Sequence, residues 1–168
     1  MAKGYEQYRQ CTVEITFTTP VLGGFPNVDA DTGEPIGKCR FDRANGSDQA
    51  VVPARWWRGF FRDNMRMVFG NDLHNIACNY VFAEPAILPG APVDLAPPVS
   101  DKGHGRGLAL HESFPAGTSV TVKFNVPTKP LDSKRFEELL RTGKWHGIGA
   151  KHRLDYGRFM VGSVTWED

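Results

Sequence analysis

From Cys11 to Thr18 the apolar and polar positions alternate. Val13, Ile15 and Phe17 fall on one side; Thr12, Glu14, Thr16 and Thr18 fall on the other. A period of two with one apolar side marks a strand that covers a core with one face and meets solvent with the other. Pro20 and Gly23–Gly24 end it. Past Pro53, which can open a helix at its first position, the period lengthens. Over Ala54–Phe69, Trp56, Trp57, Phe60, Phe61, Met67 and Val68 make a broad apolar face. Arg55, Arg58, Arg62 and Arg66 recur on the opposite face of the same predicted helix, where helical geometry stacks their side chains one above another. Residues 71–80 read as a short helical continuation. Leu108–Ser113 and Ser119–Val126 read as a β-hairpin around Phe114-Pro-Ala-Gly, with Val120, Val122, Phe124 and Val126 turned inward. Asp132 is a good N-cap for the next helix, flanked by Leu131 and Phe136 at the staple positions. Phe136, Leu139 and Leu140 form its buried stripe, and Gly143 is placed to close it. A last strand runs over Arg158–Trp166.

The order strand, helix, strand, strand, helix, strand predicts an α+β fold. It is the ferredoxin-like (RRM-like) βαββαβ arrangement, an antiparallel sheet with two helices on one face. Long loop insertions interrupt it. Phe25–Val52 is polar, rich in Gly, Asp and Pro, and without a sustained period, and a loop of that length is usually functional or mobile. Pro85, Pro89, Pro92, Pro97 and Pro98 mark a second irregular excursion, and Ser100–Gly107 reads as an exposed, flexible tip. Neither flank is self-sufficient, so residues 1–168 are expected to form a single domain.

The chain has 168 residues, of which 40% are hydrophobic, enough for one ordinary core. Lys and Arg total 20 against 19 Asp and Glu, a net charge of +1 that excludes a uniformly basic DNA-coating protein. Any nucleic-acid site must be a local patch. Such patches exist: Arg141–Arg158 holds five basic residues and one acid, Asp155, and Arg55–Arg66 holds four arginines and one acid, Asp63. Cys11, Cys39 and Cys78 offer neither a disulfide framework nor a CxxC pair. No apolar run is long enough to span a bilayer and the first residues carry no apolar signal core. A cytoplasmic location with no membrane partner is the default.

The segment Gly143–Arg158 concentrates the candidate chemistry. Its glycines allow close backbone approach, and Lys144, Lys151, Arg153 and Arg158 add charge, which together suit a phosphate backbone. Trp145 and Tyr156 are candidates to stack on bases. The alternative is a solvated surface loop with core aromatics. The arginine face of the first helix has a similar pair of readings, a solvated helix surface or a contact to RNA or a partner, with Arg58 and Arg62 best placed. Only Asp63 lies nearby in sequence to balance it. The polar sheet side (Thr12, Glu14, Thr16, Thr121, Lys123, Asn125) lacks aromatics, which argues against RRM-style base readout. His74 and Cys78 are one helical turn apart but have no second pair, so no metal or other cofactor is expected.

These segments together resemble the RAMP superfamily, the RNA-binding subunits of CRISPR effector complexes. Its hallmark is a loop after the second helix of the form G-x-G-x-(K/R)-x-x-x-(G/D)-(Y/F)-G-(R/K)-hydrophobic. Gly147-Ile-Gly149-Ala-Lys151-His-Arg153-Leu-Asp155-Tyr156-Gly157-Arg158-Phe159 follows it closely. Ile15–Gly24 resembles the family's first strand and glycine end. Val52–Arg62 resembles its proline-led first helix, with Ala54 where a serine is frequent, and Phe114-Pro-Ala-Gly-Thr resembles the turn before its third strand. The resemblance implies non-catalytic binding of single-stranded guide RNA by its sugar-phosphate backbone, in a homo-oligomer along the RNA and beside other effector-complex subunits. It implies as RNA-binding residues Arg55, Arg58, Arg62, Lys144, His146, Gly147, Gly149, Lys151, His152, Arg153, Tyr156 and Arg158. A RAMP-family endoribonuclease is the enzyme alternative. It would use His146 or His152 as a general base on a 2′-OH, or one of Asp29, Asp31, Asp42 and Asp48, since target-cleaving members carry a metal-dependent aspartate in this loop. A mimic of an effector subunit, docking on a CRISPR complex without binding RNA, is the third.

Overall fold

The computed structural model describes residues 7–25, 30–32, 37–96, 110–129, 131–150, 152 and 155–167. Ten strands and three helices follow one another in it: β1 (Tyr8–Phe17), β2 (Val21–Leu22), β3 (Asp42–Arg43), β4 (Ala50–Val52), α1 (Ala54–Phe69), α2 (Asn71–Tyr80), β5 (Phe82–Ala83), β6 (Ala86–Ile87), β7 (Val93–Leu95), β8 (His111–Phe114), β9 (Ser119–Pro127), α3 (Ser133–Arg141), and β10 (Phe159–Trp166). A 3₁₀ turn, Thr142–Lys144, follows α3.

The main sheet runs β10-β1-β9-β5, antiparallel throughout, which is the ferredoxin-like order. Its helix-side face is the one the alternation predicts. Cys11, Val13, Ile15 and Phe17 of β1 and Val120, Val122, Phe124 and Val126 of β9 are all buried. In β10 the register shifts beside Glu14: Val13 pairs with Val164 but Ile15 pairs with Val161. This bulge lets Phe159, Val161, Val164 and Trp166 all reach the helix side despite their spacing. The two layers meet through rings. Trp57 of α1 packs edge-on against Phe124 (5.0 Å) and Phe159 (5.6 Å), and Phe136 of α3 against Phe124 (5.3 Å) and Trp166 (5.8 Å). Asp132 caps α3 as predicted, its side chain accepting from the Arg135 amide.

Several expectations are corrected. The second sheet strand is not residues 108–113 but β5, directly after α2; two residues are too short for any period to register. β8 lies instead between β2 and β7 in a separate three-stranded sheet, with all four residues buried, so it shows no alternation. The predicted tight hairpin is therefore an insertion spanning 84–118. Within 25–52 the described residues carry pairing that the composition does not predict. Phe25 bridges to Arg40, Cys39 bridges to His111, and β3 and β4 form a hairpin that β6 extends into a third small sheet. Residues 71–80 form a separate helix, broken from α1 at Gly70, whose φ of 78° ends the first helix. On α1 the buried residues are Trp57, Phe60, Phe61, Asn64 and Met65, while Val68 is exposed; the side chain of Met67 lies outside the description. Gly143 does not close α3 in a left-handed turn. It packs under β10, where a Cβ would collide with the Phe159 ring. The predicted tip at 100–107 lies outside the described residues. No helix among the described residues is long and apolar enough to cross a membrane.

Candidate nucleic-acid interface

The Gly-rich segment after α3 is folded onto the rest of the chain at its backbone. The Ala150 amide donates to the Leu22 carbonyl (3.0 Å), Gly157 to Pro20 (2.8 Å) and Ile148 to Gly157 (3.1 Å). Ile148 is buried. Gly147 and Gly157 cross so closely that a Cβ on either would sit inside the backbone of the other strand of the loop. The glycines thus serve chain crossing and docking on the β1–β2 turn, and these three amides are taken by carbonyls rather than turned to a ligand. Gly149 adopts φ 89° against the edge of Trp56, and its carbonyl accepts from Nδ1 of His152 (2.9 Å).

Helix α1 carries the loop on one side and arginines on the other. Asn64, almost fully buried, donates from Nδ2 to the Thr142 hydroxyl (2.8 Å) and to the His146 carbonyl (3.3 Å). Asp63, next to it, lies 3.4 Å from Nε2 of His152 and 3.4 Å from Nε of Arg62. His152 is therefore held at Nδ1, with Nε2 beside Asp63. Arg58, Arg62 and Arg66 are exposed, and among the described residues Arg58 and Arg66 have no ion pair. Their field reaches α2: burial raises the pKa of the Cys78 thiol, while Arg62, Arg66 and Arg58 pull it down. Arg55, at the other end of the helix, is held by both oxygens of Asp42 (2.5 and 2.6 Å). Asp63 is thus not the sole compensating acid on this face; Asp42 comes from β3, which sequence neighbourhood could not reveal.

The remaining predicted residues fall as follows. Lys144 and His146 are exposed at the turn after α3, and the Lys144 ammonium stands 4.3 Å over the Trp145 ring. Tyr156 is half-buried. Arg158 pairs with Asp155, and its amide donates to the Thr19 hydroxyl (3.0 Å). Lys151, Arg153 and Asp29 lie outside the described residues. Asp31 and Asp48 are exposed, and among the described residues no three His, Cys, Asp or Glu side chains are grouped to hold a metal ion. The arrangement joins Arg62, Asp63, His152 and, through Asn64, the turn Thr142–His146; Arg55 and Asp42 form a separate pair.

Asn64 was legible as a polar residue on the apolar stripe, two turns beyond Trp57. The open sheet face also differs from its prediction: Tyr8 and Phe82 are exposed on it as a tilted pair, ring centroids 6.1 Å apart. Both lie beyond the positions first read as strand, so the face is not free of aromatics.

No family model matches the chain, and no curated protein matches it. Among solved structures, it is similar to a chain in the cryo-EM structure of the Type III-B Cmr-beta bound to cognate target RNA. The TM-score is 0.65 at 17% identity, over 95% of this chain and 61% of that one. At that identity the likeness is one of fold, and the chain spans about three-fifths of the matched chain's length.

Proposed function

We propose that this protein binds single-stranded RNA by its sugar-phosphate backbone, without cutting it, as a repeated subunit of a CRISPR-type ribonucleoprotein complex. The observation that carries the reading is the band of exposed cations on α1, Arg58, Arg62 and Arg66, with one acid among them; Lys144, exposed on the turn after α3, adds a further cation. In the sequence, Lys151 and Arg153 add two further cations to this segment. Like charges one turn apart on a helix repel mildly, and a polyanion relieves that repulsion. Phosphate contacts position a strand without reading its sequence, as a guide carrier requires. The fold likeness to a chain from an RNA-bound CRISPR complex supports RNA as the polyanion. Holding rather than cutting is supported by Asp42, engaged by Arg55, and by His152, whose Nδ1 is bonded to the Gly149 carbonyl. Repetition along RNA needs head-to-tail contacts, which do not close on one copy.

Sequencing the nucleic acid that co-purifies with the protein tests this. Short RNAs of uniform length support it. A Lys151→Glu/Arg153→Glu variant with wild-type RNA affinity across salt concentrations would overturn it, and cleavage of the bound RNA, with or without Mg²⁺, would favour the endoribonuclease. Binding to effector subunits with no RNA affinity would point to a mimic.

A further inference from the structure

Trp145 is more than half exposed (57%), in contrast to buried Trp57 and half-buried Trp56 and Trp166. Single exposed apolar residues are ordinary on protein surfaces. What distinguishes Trp145 is the rigidity beneath it. Its amide donates to the Thr142 carbonyl (2.9 Å), as does that of His146 (3.2 Å). The Thr142 hydroxyl donates to Leu139 (2.6 Å) and accepts from Asn64, which also holds the His146 carbonyl. Gly143 is wedged against the Phe159 ring. The buried residues Asn64, Thr142 and Gly143 thus clamp the turn from within, while the indole is more than half exposed, with the Lys144 ammonium over one of its two faces.

We propose that Trp145 is a base-stacking platform, so that the protein makes one base contact in addition to its phosphate contacts. This rests on the RNA-binding reading above. An indole has only two side-chain torsions to fix on binding, and base–aromatic stacking accepts every base because every base has a π face. The contact would therefore strengthen binding without selecting a sequence. Lys144, held at the ring, brings a cation to the phosphate of the stacked nucleotide.

The test compares an oligo(A) RNA with an oligomer of the same length made of abasic ribose phosphates. Each is titrated into wild type, Trp145→Leu, Trp145→Phe and Arg58→Glu/Arg66→Glu. Wild type should bind oligo(A) roughly ten-fold more tightly than the abasic strand. Trp145→Leu should erase that difference at unchanged melting temperature, and Trp145→Phe should keep part of it. The arginine variant should weaken both strands alike and keep the ratio. If Trp145→Leu discriminates as wild type does, or if wild type does not discriminate, the platform is refuted while the backbone reading stands. If no variant and no wild type binds either strand, the backbone reading falls and the platform with it. Loss of self-association in Trp145→Leu with RNA discrimination intact would make Trp145 a protein contact instead and likewise refute the proposal.

Discussion

Around Glu112, arginines close on a carboxylate that is itself buried; along α1, arginines face water with one acid among them. Arg43 bonds Glu112 at 2.7 Å, the Phe41 amide adds a bond at 2.9 Å, and Arg40 stands at 3.9 Å. This cluster ties β8 to the β3 hairpin and so joins the two small sheets, β2-β8-β7 and β3-β4-β6. Arg58, Arg62 and Arg66 tie nothing of comparable burial. The same side chain thus does structural work in one region and is left available to an anion in the other. What decides is the partner: a buried charge must be paired to be tolerated, whereas an exposed guanidinium is stable in water without one. Arg55, bidentate to Asp42 but half exposed, stands between the two.

The contrast is broken most strongly at Glu112. Replacing it by alanine leaves the Phe41 amide and a mostly covered Arg43 guanidinium without their acceptor. Folding stability should fall by about 3 kcal/mol, read from the urea midpoint at neutral pH, with RNA affinity unchanged in the folded protein. Acid should produce a smaller effect of the same origin. Burial alone would raise the Glu112 pKa, but the Arg43 bond, the Phe41 amide and the Arg43 and Arg40 charges outweigh it and hold the value below the ordinary 4.5. A depressed folded pKa means the unfolded chain takes up the proton first. The stabilisation is therefore full above the ordinary value and is lost as pH falls through the folded one. Urea midpoints followed from neutral pH downward should drop more steeply in wild type than in Glu112→Gln; equal slopes would contradict the assignment. The smallest effect belongs to Arg55→Ala, which removes an exposed ion pair. It should cost below about 1 kcal/mol, read from the urea midpoint.

Much of the main sheet and its helices was legible because their periods are long. β1 and β9 show unbroken alternation, and α3 carries its cap and staple in sequence. Elements of two to four residues were not legible. β5 has no period; a strand is expected over β8, but its pairing with β2 and β7 leaves no mark in four residues that are polar at three positions and buried at all four. The place of the candidate site was legible in its glycines and cations, but the use of the glycines was not. That Gly147 and Gly157 cross, and that Gly143 sits under Phe159, depends on chain segments brought together by the fold. The Asp42–Arg55 and Glu112–Arg43 pairs were hidden for the same reason, since their partners come from distant strands.

The salt dependence of RNA binding tests the central claim, that the unpaired arginines of α1 hold phosphates. The dissociation constant of a single-stranded RNA oligomer is measured against KCl concentration for wild type and for Arg58→Gln/Arg66→Gln. Each phosphate contact to single-stranded RNA adds about 0.7 to the slope of log affinity against log salt. The double variant should bind more weakly at low salt, with a slope shallower by roughly 1.4, and the loss should be equal for oligomers of different sequence. Superimposable salt curves for the two proteins would contradict the account.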